Sequence, residues 1–309
     1  MKPTNYARLL LLGGIWGFSF IFMRVAAPVF GPLPTSLGRV ACGALVLAAM
    51  LRFQQTPLAW RRNLRTYAVI GLFNTAIPFS LFAWAALHVP SAYMATANAM
   101  APLFTALFGV LLIGEALTGA RLAGLMLGLT GVAVLVGIGP APGNVTTLAG
   151  IGAALLAAVC YGYAAVHTRR FAGGIPPLAV ATGSSICAAL ALLPVALAAF
   201  ALHPVGLPAD TSRAWHALGA VLLLGAICTG VAYALFYRLI AEEGVSQAIT
   251  VTFLIPGAAV IWAALFLGER ITLGTLAGLG LVLLATGLVL GVIRLPALSR
   301  TRVPSQVAE

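Results

Sequence analysis

Leu9-Leu10-Leu11-Leu12-Gly13-Gly14-Ile15-Trp16-Gly17-Phe18-Ser19-Phe20-Ile21-Phe22-Met23-Arg24-Val25-Ala26-Ala27 is an apolar run with a single charge near its end, and its reading decides the fold. Preceded by Lys2 and Arg8 and closed by Val25-Ala26-Ala27, it has the outline of a secretory signal peptide. Two features oppose that reading. The run continues well past a signal core, and it has a counterpart far inside the chain. Shifted by 145 residues, Trp16-Gly17-Phe18 falls on Tyr161-Gly162-Tyr163, Arg24 on Arg169, Gly38 on Gly183 and Cys42 on Cys187. A segment that recurs at depth belongs to the mature architecture.

The correspondence extends further at a shift of 154. Gly71 then falls on Gly225, Thr75 on Thr229, Phe82 on Phe236 and Pro102 on Pro256. Gly114-Glu115 falls on Gly268-Glu269, Thr118 on Thr272 and Gly124 on Gly278. Identities among apolar residues arise by chance; Pro, Glu and Arg in one register do so far less. The change of register places about nine extra residues in the second repeat, which fit the gap from His203 to Arg213.

The rest of the chain resembles its first segment. Of 309 residues 61% are hydrophobic and 7% charged, and the mean hydropathy is +1.07. Soluble domains carry about 25% charged residues, so this chain cannot dress a water-facing surface and must set its exterior against lipid. A spanning helix needs about 20 apolar residues. Ten segments qualify: 8–28, 34–52, 66–87, 91–112, 119–138, 148–168, 177–201, 216–238, 246–267 and 272–293. The separators are short and rich in Pro, Gly or Arg, such as Gly31-Pro32-Leu33-Pro34, Trp60-Arg61-Arg62-Asn63, Gly139-Pro140-Ala141-Pro142-Gly143, Gly173-Gly174 and His203-Pro204. Lipid forbids open sheet edges, and the segments lack the alternation of barrel strands, so the fold class is an all-α membrane protein of ten transmembrane helices.

The net charge of +11 would suggest nucleic acid in a soluble protein. Here the basic residues sit between apolar runs and are read as topology signals, with no nucleic-acid partner expected. With the N-terminus inside, the inner gaps hold Lys2, Arg8, Arg52, Arg61, Arg62, Arg65, Arg121, Arg169, Arg170, Arg238, Arg294, Arg300 and Arg302. The outer side holds Arg24, Arg39, Arg213 and Arg270, so both termini are expected in the cytoplasm. Two five-helix repeats follow, 1–143 and 144–309. Because five is odd, the second enters the membrane inverted, a transporter architecture with its site near the midplane where the repeats meet.

The stretch Trp16-Gly17-x-x-Phe20, with the paired Pro102…Gly114-Glu115 and Pro256…Gly268-Glu269 segments, resembles the EamA-type drug/metabolite transporters over almost the whole chain. The resemblance implies a five-plus-five inverted repeat that exports metabolites. It is nearest to the bacterial exporters of aromatic and other neutral amino acids, which implies a multi-pass protein of the bacterial inner membrane. Tyr161 departs from the motif where the first repeat has Trp16.

Several residues are candidates for binding a solute. Pro102 and Pro256 would each free the carbonyl four residues earlier, on Asn98 and Thr252, and could act as hinges. Asn74 and Asn98 are amides within spans, where lipid exposure is costly. Asn74, Pro78 and Phe82 share one helical face. Trp16, Phe79, Phe82, Tyr161, Tyr163, Tyr233 and Tyr237 are rings that could line a cavity, and His167 lies one turn from Tyr163. Rings such as Trp60 and Trp215 fit lipid anchoring instead. Glu115 and Glu269 are assigned structural roles, capping the following helix at Thr118 or Thr272 or pairing with Arg. Gly124-x-x-x-Gly128, Gly274-x-x-x-Gly278 and Gly287-x-x-x-Gly291 suggest close packing of the fifth and tenth helices, or a dimer face.

Cys42, Cys160, Cys187 and Cys228 lie in apolar runs without metal-site or redox spacing. No phosphate loop, HExxH or GxSxG is present, so neither catalytic residues, metal nor cofactor is expected. The favoured reading is a secondary transporter exporting small neutral metabolites, chiefly amino acids, as monomer or homodimer. A broad exporter of hydrophobic or cationic drugs would want a membrane acid, which no segment carries at mid-depth. A membrane enzyme would want a clustered reactive set, and a receptor long extramembrane loops.

Overall fold

The structure is a computed structural model that describes residues 3–141, 143–202 and 211–293, without the side chains of Val245 and Ser246. The inner-side charges Lys2, Arg294, Arg300 and Arg302, and the separator residues Pro142, His203 and Pro204, lie outside the described residues.

Among the described residues all regular structure is helical. Eight stretches are long and apolar enough to cross a membrane: α1 Pro3–Phe30, α2 Pro32–Phe53, α3 Trp60–Ala85, α4 Ser91–Ile113, α5 Gly119–Ile138, α6 Val145–Phe171, α7 Pro177–Leu202 and α8 Thr211–Glu243. Two shorter apolar helices follow, α9 Val251–Leu267 and α10 Leu273–Val289, with a single turn, Val245–Ala248, ahead of α9. The protein is a multi-pass membrane protein.

Local chemistry sets the boundaries. Thr118, Asn144 and Thr272 cap α5, α6 and α10, each accepting a backbone N–H of the first turn. Gly114 and Gly268 end α4 and α9 at φ 70° and 64°, a left-handed conformation that side chains resist. Each delivers a glutamate just beyond the helix end.

The packing has an internal order. Exchanging each helix with the one five places on turns the α1–α9 contact into α6–α4, α1–α8 into α6–α3, and α2–α8 into α7–α3. The α2–α7 and α5–α10 contacts map onto themselves. Both self-mapped pairs run antiparallel: Leu47 meets Thr182 while Val40 shares a buried cluster with Ala188 and Leu192, and Gly124 meets Val289 while Gly274 meets Ile138. The fifth and tenth helices pack together, as their glycines suggest; a Cβ on Gly131 would lie 2.8 Å from the Gly278 carbonyl oxygen. Three of these glycines do otherwise: Gly128 faces Leu103 and Met100 of α4, Gly287 faces Ile293 just beyond its own helix, and Gly291, at φ 71°, meets nothing within 4 Å.

Glycine also sets the approach of α1 to α9 and of α6 to α4. A Cβ on Gly17 would lie 2.9 Å from the Ala259 nitrogen, and one on Gly162 would lie 2.8 Å from the Thr105 nitrogen. These glycines follow Trp16 and Tyr161, so the aromatic at each crossing is held by a backbone contact beside it.

Candidate functional site

Two helices are broken by π-turns, at Leu72–Ala76 in α3 and Ala226–Val231 in α8. They occupy corresponding positions at the shift of 154. A π-turn leaves backbone groups without their usual helical partners and is frequent at functional sites. In α3, Pro78 removes the N–H that the Asn74 carbonyl would otherwise accept. In α8 the carbonyl of Cys228 accepts the Trp16 indole N–H at 3.1 Å.

Around these turns, near the middle of the helices, a cluster of rings and polar groups assembles. Trp16 lies edge-on to Tyr233 with centroids 6.4 Å apart, and 5.4 Å from Phe236. Tyr233 stacks on Tyr237 at 5.9 Å, and the Asn74 amide lies near its hydroxyl. Phe82 joins Phe20 at 5.7 Å to Tyr161 at 6.1 Å. Phe79 is buried beside them under the guanidinium of Arg39, 3.6 Å from ring centroid to Cζ. Five helices, α1, α2, α3, α6 and α8, thus contribute to one cluster.

The other candidates fall elsewhere. Tyr163 packs with Phe73, Phe108 and His167 at 4.8, 5.8 and 6.0 Å, and His167 continues to Phe171. Among the described contacts, none brings His167, Asn98 or Thr252 into the central cluster. Thr252 donates to the Ile249 carbonyl at the start of α9. Asn98 ends the first segment of α4, which breaks at Ala99–Met100.

That break corrects the reading of Pro102 as a mid-helix kink. Pro102 is the second residue of a new helical segment, where a missing N–H costs little. The exposed carbonyl of Ala99 is taken by the Thr286 hydroxyl of α10 at 2.9 Å. Pro256 does lie inside its helix.

Of the two structural roles expected of the glutamates, pairing with Arg holds for both and capping of the following helix for neither. Glu115 pairs with Arg121 and with Arg169 on α6. The Arg169 hydrogen bond holds its carboxyl below the usual carboxylate range. Glu269 does not cap the helix that follows it. Its carboxylate accepts the Ser91 backbone N–H and hydroxyl at the start of α4, and Arg24 Nε lies 3.5 Å away. Thr118 and Thr272 cap their helices without them. Arg24 and Arg169 correspond in the repeat, as do Glu115 and Glu269. The two ion pairs are therefore equivalent and sit at opposite ends of the helix array.

Arg39 is the largest departure. Read as an outer-side topology charge, it lies about 10 Å along α2 from Pro32 and is 6% exposed. Cys228, Tyr161 and Tyr233 are its titratable neighbours. The available sequence signal was its position well inside an apolar segment, one turn beyond Thr35 and Ser36, whereas topology-setting arginines collect at segment ends.

A cluster of amide, phenol and indole groups at mid-length of an apolar helix array, beside helices that break, is an arrangement used by membrane transporters. The relatives agree. The profile of the EamA-like transporter family matches residues 6–137 and again 148–291. The chain belongs to that family. A probable terminal-alkyne amino-acid exporter of Streptantibioticus cattleyicolor is 27% identical over 275 residues, 87% of this chain and 88% of the relative. An uncharacterized transporter of Bacillus subtilis is 24% identical over 93% of this chain and 92% of its own length. An uncharacterized protein of Pseudomonas aeruginosa is 31% identical over 79% and 82%. A solved crystal structure shares the fold, with a TM-score of 0.62 at 21% identity over 94% of this chain and 98% of that one.

Proposed function

We propose that the protein is a secondary transporter of the bacterial inner membrane that exports small neutral metabolites, aromatic and other neutral amino acids above all, by alternating access. In this reading all ten apolar helices cross the bilayer and both termini are cytoplasmic. Residues 1–143 and 144–309 form two oppositely inserted units. The contact pattern that survives exchange of each helix with its fifth successor supports the inversion, as does the antiparallel run of α2 with α7 and of α5 with α10.

The observation that carries the proposal is the central cluster. Trp16, Phe79, Phe82, Tyr161, Tyr233 and Tyr237 gather with the Asn74 amide at the two π-turns. Rings offer surface to an apolar side chain, and the amide and phenols offer hydrogen bonds to a polar head. Asn98, Tyr163, His167 and Thr252 are assigned to the solute's path outside this cluster, and Pro102, at the break in α4, and Pro256, within α9, to hinges. The relative named as a probable amino-acid exporter supports the substrate class.

Reconstitution of the purified chain in proteoliposomes tests the proposal. Labelled aromatic, aliphatic and cationic solutes are offered with and without a pH gradient. Saturable movement of phenylalanine or tryptophan is the expected result. If only cationic drugs moved, the substrate class would be wrong.

A further inference from the structure

We propose that Arg39 is the anchor for a carboxylate in the central cluster, so that the transported solute carries one carboxylate, as an amino acid or a related organic acid does. The inference rests on the transport reading but names a residue and a chemical group that the reading leaves open.

A guanidinium has five N–H donors and a charge that persists at any accessible pH. Burying such a charge without a counter-ion costs several kcal/mol even after relaxation. Arg39 is 6% exposed. Its contacts are a face-on approach to Phe79, a long hydrogen bond from Nε to Thr229 Oγ1 at 3.4 Å, and a weak one from Nη1 to Met23 Sδ at 3.9 Å. Among the described residues no carboxylate lies within ion-pair reach of it.

Arg24 shows how this protein treats a helix-borne arginine with a structural task. It donates to the carbonyls of Ala86 and Val89 and lies beside the Glu269 carboxylate. Among the described residues Arg39 has neither a carbonyl nor a carboxylate as partner. One turn back on the same helix, the hydroxyls of Thr35 and Ser36 are 1% exposed and have no hydrogen-bond partner among the described residues. An underused cation and two idle hydroxyls within one helical turn form a set of donors awaiting an acceptor.

The charge balance selects the acceptor. One cation balances one carboxylate, whose planar oxygens match the guanidinium fork; the ammonium of a zwitterionic amino acid is then left to acceptor oxygens such as that of the Asn74 amide. A phosphate ester, near minus two, would leave an uncompensated charge in the interior. A cationic solute would meet Arg39 as a like charge. Phe79 lies against the guanidinium, and Tyr161 and Tyr233 are near enough to act on its charge, so an apolar or aromatic remainder of the solute has surface to occupy.

The test compares phenylalanine, phenylalanine amide, phenylethylamine and 3-phenylpropionate with the full-length chain. Transport is read in proteoliposomes, and ligand-induced thermal stabilisation in detergent. Wild type should prefer the two carboxylates over their neutralised or decarboxylated analogues by at least about tenfold, the scale of a charge-assisted hydrogen bond. Arg39→Met should lose that preference through a raised half-saturation concentration. Arg39→Lys should keep the preference at weaker affinity, which a purely structural role would not produce. Equal handling of phenylalanine and its amide by wild type would overturn the proposal. So would a stably folded Arg39→Met with an unchanged half-saturation for phenylalanine. If wild type moves no amino acid, the transport reading fails by itself. The anchor is then decided by thermal stabilisation: 3-phenylpropionate stabilising wild type but not Arg39→Met supports it, and no stabilisation of wild type refutes it. Should Arg39→Met not fold, the acid-versus-amide comparison in wild type and in Arg39→Lys decides the matter.

Discussion

Replacing Gly17 or Gly162 by alanine adds one methyl group where two helices cross, and the structure fixes what that methyl meets. On Gly17 the new Cβ would stand 2.9 Å from both the Ala259 nitrogen and the Ala258 Cβ. On Gly162 it would stand 2.7 Å from the Phe104 carbonyl carbon and 2.8 Å from the Thr105 nitrogen. Ordinary contact begins near 3.4 Å, so the helices must part locally by about 0.5 Å in the first case and about 0.7 Å in the second. The obstacles are largely backbone atoms, which cannot swing aside. Overpacking of this kind costs about 1–3 kcal/mol, and alanine's better helix propensity returns about 0.5–1 kcal/mol. The net expectation is a loss of about 0–2.5 kcal/mol for Gly17→Ala and somewhat more for Gly162→Ala. Gly152 is the control: it lies in the same helix as Gly162, and its Cβ would meet nothing within 4 Å, so Gly152→Ala should be neutral or stabilising. Thermal unfolding of the three variants in one detergent reads the sign of each change. If Gly17→Ala and Gly162→Ala were as stable as Gly152→Ala, the close crossings would not exist as described.

Trp16→Phe keeps the ring packing on Tyr233 and Phe236 but strands the Cys228 carbonyl, and should cost about 1 kcal/mol in thermal unfolding. Thr286→Val removes the hydroxyl that satisfies the Ala99 carbonyl at the break in α4, and should cost about 1–3 kcal/mol, more than Thr130→Val at an exposed position. Glu115→Gln weakens the link from the end of α4 to Arg169. Because Arg169 holds the folded carboxyl below the usual range, the pair contributes fully above that range and its contribution is lost as pH falls through the lowered value. The stability gap between wild type and Glu115→Gln, followed from about pH 7 to about pH 3, should therefore narrow on the acid side; a gap that widened there would refute the assignment.

The helical segments were legible because lipid demands long apolar runs, and Pro, Gly and Arg interrupt them where the chain turns. The Gly-Glu repeat was legible for a similar reason: a left-handed glycine must end a helix, and the glutamate after it is then placed at a fixed point. Three things were hidden. The π-turns depend on which carbonyl loses its partner, and Leu72–Ala76 and Ala226–Val231 share little composition to announce it. The burial of Arg39 depends on the tilt and packing of α2 against α8, which no charge count contains. The attachment of Glu269 to Ser91 joins residues 178 apart, and local capping patterns point to Thr272 instead. That Tyr163 and His167 pack with Phe73, Phe108 and Phe171 outside the central cluster was hidden too, because periodicity places rings on a helix face without saying which neighbour that face meets.

The repeat itself separates scaffold from site. Positions where backbones touch or helices end are kept in both copies: Gly17 with Gly162, Gly71 with Gly225, Gly114 with Gly268, and Arg24–Glu269 with Arg169–Glu115. Apart from Phe82, which matches Phe236, the positions that face the centre differ. Trp16 corresponds to Tyr161, Asn74 to Cys228, Phe79 to Tyr233, and Arg39 to Ser184. A strictly two-fold centre would hold two arginines, and their mutual repulsion in a low dielectric would destabilise the bundle unless two anions bound together. With one arginine the scaffold keeps equivalent crossings and equivalent ion pairs at its two ends, as a carrier opening alternately to either side would need, while the centre has a charged side and an uncharged side. An amino acid has the same asymmetry, with its carboxylate at one end and its side chain at the other, so the broken symmetry at Arg39 can orient the solute within a frame that is itself nearly symmetric.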